Sequence, residues 1–339
     1  MKQWNLVVHV LVAFTVLWEL RVTIAADGVE SMVGSWAFEL PDGGPAWLQI
    51  QKTDGAYSGS LLWSVGSAKP VSELRVRGDS LIFQQKIRWK PNGADEETRV
   101  INEPMIATLA EDQLRLQAVQ SPVDTAAEER LVLLGKRLPP LPSRPDLTRI
   151  RFGAPISLFN GQDLTGWRLS NPKKKNGWRV ENGVLVNETP KTDFSAYGEY
   201  GNLRTDREFE DFQLTIEYNV AAGGNSGVYL RGMYEAQVVD RDSRMLGING
   251  PGAIFGRIAP SKNAGKPGGQ WNRYELTLVD RHITVVLNGE KVIDNQPIIG
   301  CTGGGLSADD TRPGPIFLQG DHTSVQYRNI AIRPVVTSP

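Results

Sequence analysis

The sequence predicts an all-β protein in two parts, a smaller β domain followed by a larger β-sandwich or jelly roll. Three observations lead there. Apolar and polar residues alternate in short runs, with no sustained helical period. Turn signals built on Asn-Gly, Asp-Gly and Gly-Asp separate those runs. A proline-rich seam then divides the chain. A length of 339 residues agrees with two domains at about 150 residues each.

The first element is a targeting segment rather than part of a fold. Lys2 precedes an apolar run from Leu6 to Trp18, and the small-residue stretch Ile24-Ala25-Ala26 follows. Positive, then apolar, then small is the order of a secretory signal peptide, here residues 1–25 with cleavage near Ala25 or Ala26. The run falls short of the roughly 20 apolar residues that span a bilayer, so no stable membrane insertion is expected after cleavage. No cysteine lies nearby to carry a lipid. The mature protein is expected in the periplasm or outside the cell.

Residues 27–137 read as a small all-β domain. Ala46–Gln51, Ser58–Val65, Ser80–Phe83 and Gln113–Val119 alternate like strands. Asp42-Gly43-Gly44, Asp54-Gly55, Gly78-Asp79 and Pro91-Asn92-Gly93 are the turns between them. Gly34-Ser35-Trp36 resembles the first strand of lipocalin-like barrels. Trp36, Trp47, Trp63 and Trp89 could stack on sugar rings, but core packing is the expected use of aromatics in a domain this small. No catalysis is expected here.

The linker is 138–152, Leu138-Pro139-Pro140-Leu141-Pro142-Ser143-Arg144-Pro145 and onward. Four prolines in so short a span disfavour both helix and central strand.

Residues 153–335 form the larger domain. Glu181-Asn182-Gly183-Val184 and Leu287-Asn288-Gly289-Glu290 place Asn-Gly between strand-like runs, the strongest short hairpin signal. Phe212–Val220, Gly227–Leu230, Tyr234–Val239, Tyr274–Val279, Ile283–Leu287 and Gln326–Ile332 are the expected strands. Such a series suits a sandwich or jelly roll.

Composition narrows the chemistry. With 37 basic and 38 acidic residues, the chain lacks the clustered basic excess of a nucleic-acid binder. One cysteine excludes an internal disulfide framework and multi-cysteine metal sites. Three histidines become two, His282 and His322, once His9 leaves with the signal, so a three-histidine zinc site is impossible. No glycine-rich fingerprint joins a strand to a helix, which argues against a phosphate cradle.

The functional signal lies in polar residues at strand-like positions. On Tyr234–Val239, Glu235 and Gln237 share one face, about 6–7 Å apart by strand rise, and Ala236 and Val238 the other. The small apolar pair is the expected core face. Asn225, Arg231 and Asp240 flank the same stretch, and such crowding of polar groups suggests a site. Trp271 and Asn272 sit at a sheet edge where a turn enters a strand; an aromatic beside an amide is a common way to hold a sugar, with core packing the alternative for Trp271. Gly314–His322 reads as a strand running out into a polar turn that carries Gln319 and His322. His322 is the one strong imidazole candidate for acid–base work at neutral pH; His282, beside Arg281 before a hairpin strand, reads as surface structure.

Phe159-Asn160-Gly161-Gln162-Asp163-Leu164-Thr165-Gly166-Trp167 resembles the opening of the 3-keto-disaccharide hydrolase domain family. Trp178-Arg179-Val180-Glu181-Asn182-Gly183, Asn225-Ser226-Gly227, Tyr234-Glu235-Ala236-Gln237 and Lys266-Pro267-Gly268-Gly269-Gln270-Trp271-Asn272 continue the order. Leu318-Gln319, His322 and Tyr327-Arg328-Asn329-Ile330 close it. The resemblance spans about 155–334. It implies a concanavalin-like jelly roll with ligand on the concave face, and action on glycosides oxidised at C3. The loop Gly320-Asp321-His322-Thr323 and the region Arg241–Gly256 depart from the family pattern.

A 3-keto group acidifies the C2 proton, so elimination of the C1 substituent followed by hydration achieves net hydrolysis. That route needs a base, an acid and an enolate stabiliser. Glu235 and His322 are the expected acid and base, and Arg231 and Asn225 the expected stabilisers. Gln237, Asp240, Trp271, Asn272 and Gln319 are expected to bind a small carbohydrate. A divalent cation on Asp240, Glu235 or His322 is a further option, since oxygen-rich sites suit hard metals. Two rivals stand beside this reading. A conventional glycosidase needs two facing carboxylates, and Gln237 in place of an acid breaks the nearest pairing with Glu235. A non-catalytic carbohydrate-binding protein would bind sugar and form no product.

Overall fold

A computed structural model describes residues 28–89, 99–118, 132–190 and 199–336, with the side chains of 86–89 and 99–103 left aside. The expected signal peptide, the expected turn at Pro91-Asn92-Gly93 and the side chain of Trp89 lie outside the described residues. The described chain is built almost wholly of strands, and none of its helices is long and apolar enough to cross a membrane. It forms two compact units. One holds the described parts of Met1–Glu39, Trp47–Leu61 and Lys69–Leu138; the other holds Leu40–Ala46, Leu62–Ala68 and the described parts of Pro139–Pro339.

The first sheet comprises β1 (Gly34–Glu39), β2 (Pro45–Thr53), β3 (Ala56–Trp63), β4 (Lys69–Pro70), β5 (Ser72–Arg77), β6 (Ser80–Trp89), β7 (Arg99–Ala110), β8 (Gln113–Ala118) and β9 (Val132–Leu138). Their order is β4-β3-β2-β1-β9-β8-β7-β6-β5. β4 and β5 are pieces of one run interrupted at Val71. β4 pairs with β3, Ser60 opposite Pro70, and β5 pairs with β6, Arg77 opposite Ser80. Val71 N–H also donates to the Gly59 carbonyl at 3.0 Å. The path thereby closes on itself as an up-and-down barrel. Trp36, Trp47, Phe83, Met105, Leu114 and Leu116 are buried and pack its core, as expected of a barrel small enough for side chains to fill.

The second unit carries two sheets. Its strands are β10 (Ile156–Ser157), β11 (Trp167–Leu169), β12 (Trp178–Glu181), β13 (Val184–Asn187), β14 (Leu203–Phe209), β15 (Phe212–Val220), β16 (Asn225–Leu230) and β17 (Tyr234–Val239). β18 (Asn272–Val279), β19 (His282–Leu287), β20 (Glu290–Pro297), β21 (Gly314–Leu318) and β22 (Val325–Pro334) complete it. The larger sheet runs β12-β13-β22-β15-β18-β19-β20, with β10 on β22; the smaller runs β11-β14-β21-β16-β17. Neighbours distant in sequence, such as β22 between β13 and β15, give the jelly-roll crossovers. Asn182-Gly183 and Asn288-Gly289 both hold successive positive φ angles, 51° and 79°, 54° and 83°, as a type I′ hairpin turn requires.

Alternation on β15 decides which face is core. Phe212, Leu214, Ile216, Tyr218 and Val220 are buried and the residues between them half-buried. The sheets meet where Ser226 Oγ lies 2.8 Å from Tyr327 Oη and where the Tyr274 hydroxyl donates to the Gln237 carbonyl. β17 is not left as an open edge. Gln237 N–H donates to Ala253 O, and Phe255 N–H donates to Glu235 O, covering the backbone groups that an edge strand exposes.

One expectation is corrected. His282 is 3% exposed at the start of β19, with Nδ1 2.8 Å from the Asp280 carbonyl, so it is a buried structural histidine rather than a surface one.

Candidate active site

The β16–β17 hairpin sets the site. Its register puts Tyr229 opposite Glu235 and Gly227 opposite Gln237, and cross-strand partners share a face. β21 adds Phe317 opposite Tyr229, and Gln319 N–H donates to Gly227 O at 3.0 Å. Gln319, Gly227 and Gln237 thus form one row across the sheet, and Phe317, Tyr229 and Glu235 the next. Both rows point away from the larger sheet, because the intervening Ser226 reaches Tyr327 on that sheet.

Glu235 is buried in this face at 3% exposure. A Cβ on Gly227 would come within 2.5 Å of Glu235 Oε1, so only glycine lets the carboxyl lie flat over β16. Burial pushes the Glu235 carboxyl up to about 8; a hydrogen bond from Tyr229 opposes this, and the Asp321 charge adds to it. Glu235 is therefore largely protonated at neutral pH.

The turn after β21 brings the second group. His322 Nδ1 lies 2.6 Å from Asp321 Oδ1, with both side chains mostly buried. Neighbours hold this turn tightly. The Gly320 carbonyl accepts from Asn187 Nδ2 at 2.9 Å and Thr189 Oγ1 at 2.6 Å, and its N–H donates to Asn202 Oδ1 at 2.7 Å. A Cβ at Gly320 would lie 2.7 Å from the Trp178 ring, so the aromatic packs directly on the backbone. Thr323 Oγ1 accepts from the Asn225 N–H and donates to the Asn225 carbonyl, both at 2.9 Å. These bonds fasten the histidine turn to β16. An Nδ1–H directed at Asp321 would make Nε2 the basic ring nitrogen, the arrangement of a base.

Buried amide oxygens complete the chemistry. Gln237 Oε1, Gln319 Oε1, Asn225 Oδ1 and Asn187 Oδ1 are buried without a partner. Buried polar atoms are normally hydrogen-bonded, and of these Gln237 and Gln319, on the Glu235 face, offer acceptors that a ligand's donors, such as sugar hydroxyls, would satisfy.

The structure places Glu235, Gln237 and Gln319 on adjacent rows of one face, ties the His322 turn to the Asn225 backbone through Thr323, and commits the other expected site residues elsewhere. Arg231 sits in the β16–β17 turn at φ 55° with its guanidinium committed to the Asp310 and Arg312 carbonyls. It ties a loop to the sheet rather than facing the Glu235 row. The Asp240 carboxylate accepts backbone N–H groups of Gly223, Gly268 and Asp242, which hold it below the usual carboxylate range. Asn272 Oδ1 accepts from the Lys266 N–H and from Asn288 Nδ2, fixing the turn into β18. Trp271 packs under the Arg328 guanidinium at 4.0 Å, and Arg328 pairs with Glu217 on the larger sheet. It is therefore not an aromatic wall of the Glu235 row.

The residues named for a divalent cation do not fit one. Asp240 is spent on backbone amides, and among the described residues no group of three or more His, Cys, Asp or Glu converges. Sequence reasoning also missed Tyr229 and Asp321. Strand alternation from Gly227 could have found the tyrosine, and the Asp-His dipeptide the carboxylate.

The family model of the 3-keto-alpha-glucoside-1,2-lyase-like domain matches residues 154–333. A 3-keto-disaccharide hydrolase of Bacteroides thetaiotaomicron is 24% identical over 166 residues, 41% of this chain, and the chain spans 57% of that relative's length. A Parabacteroides distasonis protein, whose structure bears a provisional glycosyl hydrolase name, is 28% identical, with 57% of this chain and 92% of that one covered and a TM-score of 0.43. Porphyranase B of Zobellia galactanivorans is 11% identical, with 59% and 98% covered and a TM-score of 0.34. The chain belongs to the 3-keto-alpha-glucoside-1,2-lyase-like domain family of carbohydrate-active proteins.

Proposed function

We propose that this protein is exported and cleaves the glycosidic bond of 3-keto-glycosides by elimination followed by hydration. The observation that carries the reading is a buried Glu235, its carboxyl pushed up to about 8 by burial and within reach of the charge of Asp321, which in turn lies 2.6 Å from His322 Nδ1. The name of the Bacteroides relative supports the substrate class.

His322 Nε2 takes the C2 proton; the C2–H electron pair forms the C2=C3 bond of an enolate, and the carbonyl pair moves onto O3. Collapse restores the C3 carbonyl, forms C1=C2 and breaks C1–O. The leaving oxygen takes the Glu235 proton. Water then adds hydroxide to C1, giving its proton to the Glu235 carboxylate, while His322 returns its proton to C2. Both groups end as they began. Positioned acid–base groups of this kind supply about 10²–10⁴-fold each. Asn225, Gln237 and Gln319 orient the sugar.

The test is incubation of purified protein with a 3-keto-disaccharide and with its unoxidised parent, with and without chelator. Turnover of the keto sugar alone is expected, unaffected by chelator. Full activity in both Glu235→Gln and His322→Ala would overturn the assignment. Cell fractionation tests export.

A second reading has one observation of its own. The charge of Asp321 reaches Glu235, so a second carboxylate does stand near the first, although Gln237 is not one. A conventional two-carboxylate glycosidase would use that pair. It predicts turnover of the unoxidised parent.

A further inference from the structure

The acid role of Glu235 rests on groups that no substrate contact explains. Tyr229 Oη lies 2.9 Å from Glu235 Oε2, 3.0 Å from the Gly303 carbonyl and 3.4 Å from Gln319 Nε2. A tyrosine hydroxyl has one proton, and here two acceptors compete for it. The two protonation states of Glu235 resolve the competition differently. While Glu235 holds its proton for the leaving oxygen, the tyrosine hydroxyl donates to the Gly303 carbonyl. An ionised Glu235 draws the tyrosine proton to itself.

The surroundings make room for this switch and hold it in place. A Cβ at Gly304 would lie 2.9 Å from Tyr229 Oη, and one at Gly227 would strike Glu235. Thr302 joins the Gly303 segment to the start of β17: its hydroxyl accepts from the Glu235 N–H at 3.0 Å and donates to the Met233 carbonyl at 2.9 Å. The hydroxyl and carboxyl thus meet in a fixed geometry rather than through a mobile loop.

We infer that Tyr229 is the positioning residue that lets Glu235 alternate between acid and base within one turnover. Its hydroxyl hydrogen bond is directed to the Gly303 carbonyl when Glu235 is the acid, and to the carboxylate once the leaving group has been protonated. The inference rests on the acid role assigned above to Glu235. The charged and titratable groups facing Glu235 are accounted for on each neighbouring element. Tyr229 comes from β16, and Asp321 with its partner His322 from the turn after β21; Tyr274 of β18 and Tyr327 of β22 lie behind, in the larger sheet. The Tyr274 hydroxyl donates to the Gln237 carbonyl and the Tyr327 hydroxyl lies against Ser226 Oγ, which leaves Tyr229 as the tyrosine that donates to the ionised carboxyl.

The experiment is Tyr229→Phe in the full chain, with the Glu235 carboxyl followed by infrared difference spectroscopy on ¹³C-glutamate-labelled protein. The band is identified by its loss in Glu235→Gln. Removing a donor to the carboxylate raises the titration midpoint by about one pH unit. The alkaline limb of kcat moves with it, while KM stays within about threefold, because transition-state and ground-state contacts separate in this way. Should the phenylalanine variant fail to fold, 3-fluorotyrosine at position 229, a stronger donor, is expected to move the midpoint down. An unchanged midpoint in whichever protein folds overturns the inference. A shifted midpoint without turnover of the keto sugar sustains the Tyr229–Glu235 coupling and overturns the proposed reaction instead.

Discussion

The barrel and the sandwich are built from the same antiparallel strands and tight turns, yet their interiors differ. Among the described residues the barrel buries one polar side chain, Gln85, under a core of Trp36, Trp47, Phe83 and Met105. The sandwich buries many, including Glu235, Gln237, Asn187, Arg231, Asp310 and Gln319. Burying polar groups is costly unless they are paired, and several of those on the Glu235 face carry unpaired atoms. The comparison teaches where to look for chemistry. A strand fold that tolerates orphaned acceptors and a protonated carboxyl on one face is holding them for something else to meet.

The sharpest way to break this contrast is Glu235→Gln. Activity on a 3-keto-disaccharide should fall about 10²–10⁴-fold, read as initial rates at neutral pH. Stability should respond in the opposite sense at alkaline pH. Folded Glu235 keeps its proton to about 8, whereas the unfolded chain releases it near 4.5. The folded state therefore binds more protons between those values, and stability falls as pH rises through that window. Glu235→Gln removes this slope, so melts at pH 5 and pH 9 should differ less for the variant than for the parent by a few kcal/mol, at about 1.4 kcal/mol per pH unit. Equal slopes would show that Glu235 is not buried in its neutral form.

Phe83→Ala probes the other interior. Truncating a fully buried aromatic typically costs about 3–5 kcal/mol, and denaturant melts should show it. If catalysis belongs to the sandwich alone, kcat of the folded variant is unchanged. A proportional loss of kcat would blur the distinction between the two units.

Asp321→Asn gives an intermediate effect. His322 loses the partner that orients it, and a drop of about 10²-fold in kcat is expected from the loss of a positioned base. Removing the neighbouring negative charge also favours ionisation of Glu235. The alkaline limb of the pH profile should therefore shift to lower pH, opposite in sign to Tyr229→Phe.

Trp271→Ala is expected to matter least. Its ring packs on Arg328, away from the Glu235 row, so KM should stay within about twofold, since a residue outside the site contributes no uniform binding. A tenfold rise in KM would return Trp271 to the binding surface.

Much of the scaffold was legible in the sequence. Period-two alternation placed β15 and β17 at their observed bounds, and both Asn-Gly turns adopt the positive φ angles that pair requires. The same alternation put Glu235 and Gln237 on one face. Strands with weaker patterns escaped notice. β14, Leu203-Arg204-Thr205-Asp206-Arg207-Glu208-Phe209, is held by a bulged register against β21 rather than by alternation of its own. β20, rich in polar residues and ending in Pro297, pairs with β19 through two register shifts. The site was half legible. Polar residues crowded into sixteen positions looked like one cluster, but Arg231 and Asp240 spend their side chains on backbone groups that no local pattern announces.

The sequence by itself determined the β class, the hairpins, the alternating face of β17 and the scarcity of imidazoles that singled out His322. Those are local properties, set by residue type and by spacing of a few positions. Only the tertiary structure decided that burial raises the proton affinity of Glu235, that Tyr229 hydrogen-bonds its carboxyl, and that the charge of Asp321 reaches it. The reason is physical. A carboxyl's proton affinity is the sum of desolvation and of fields from groups gathered around it, and here those groups come from β16, the 302–303 segment and the turn after β21, far apart in the chain.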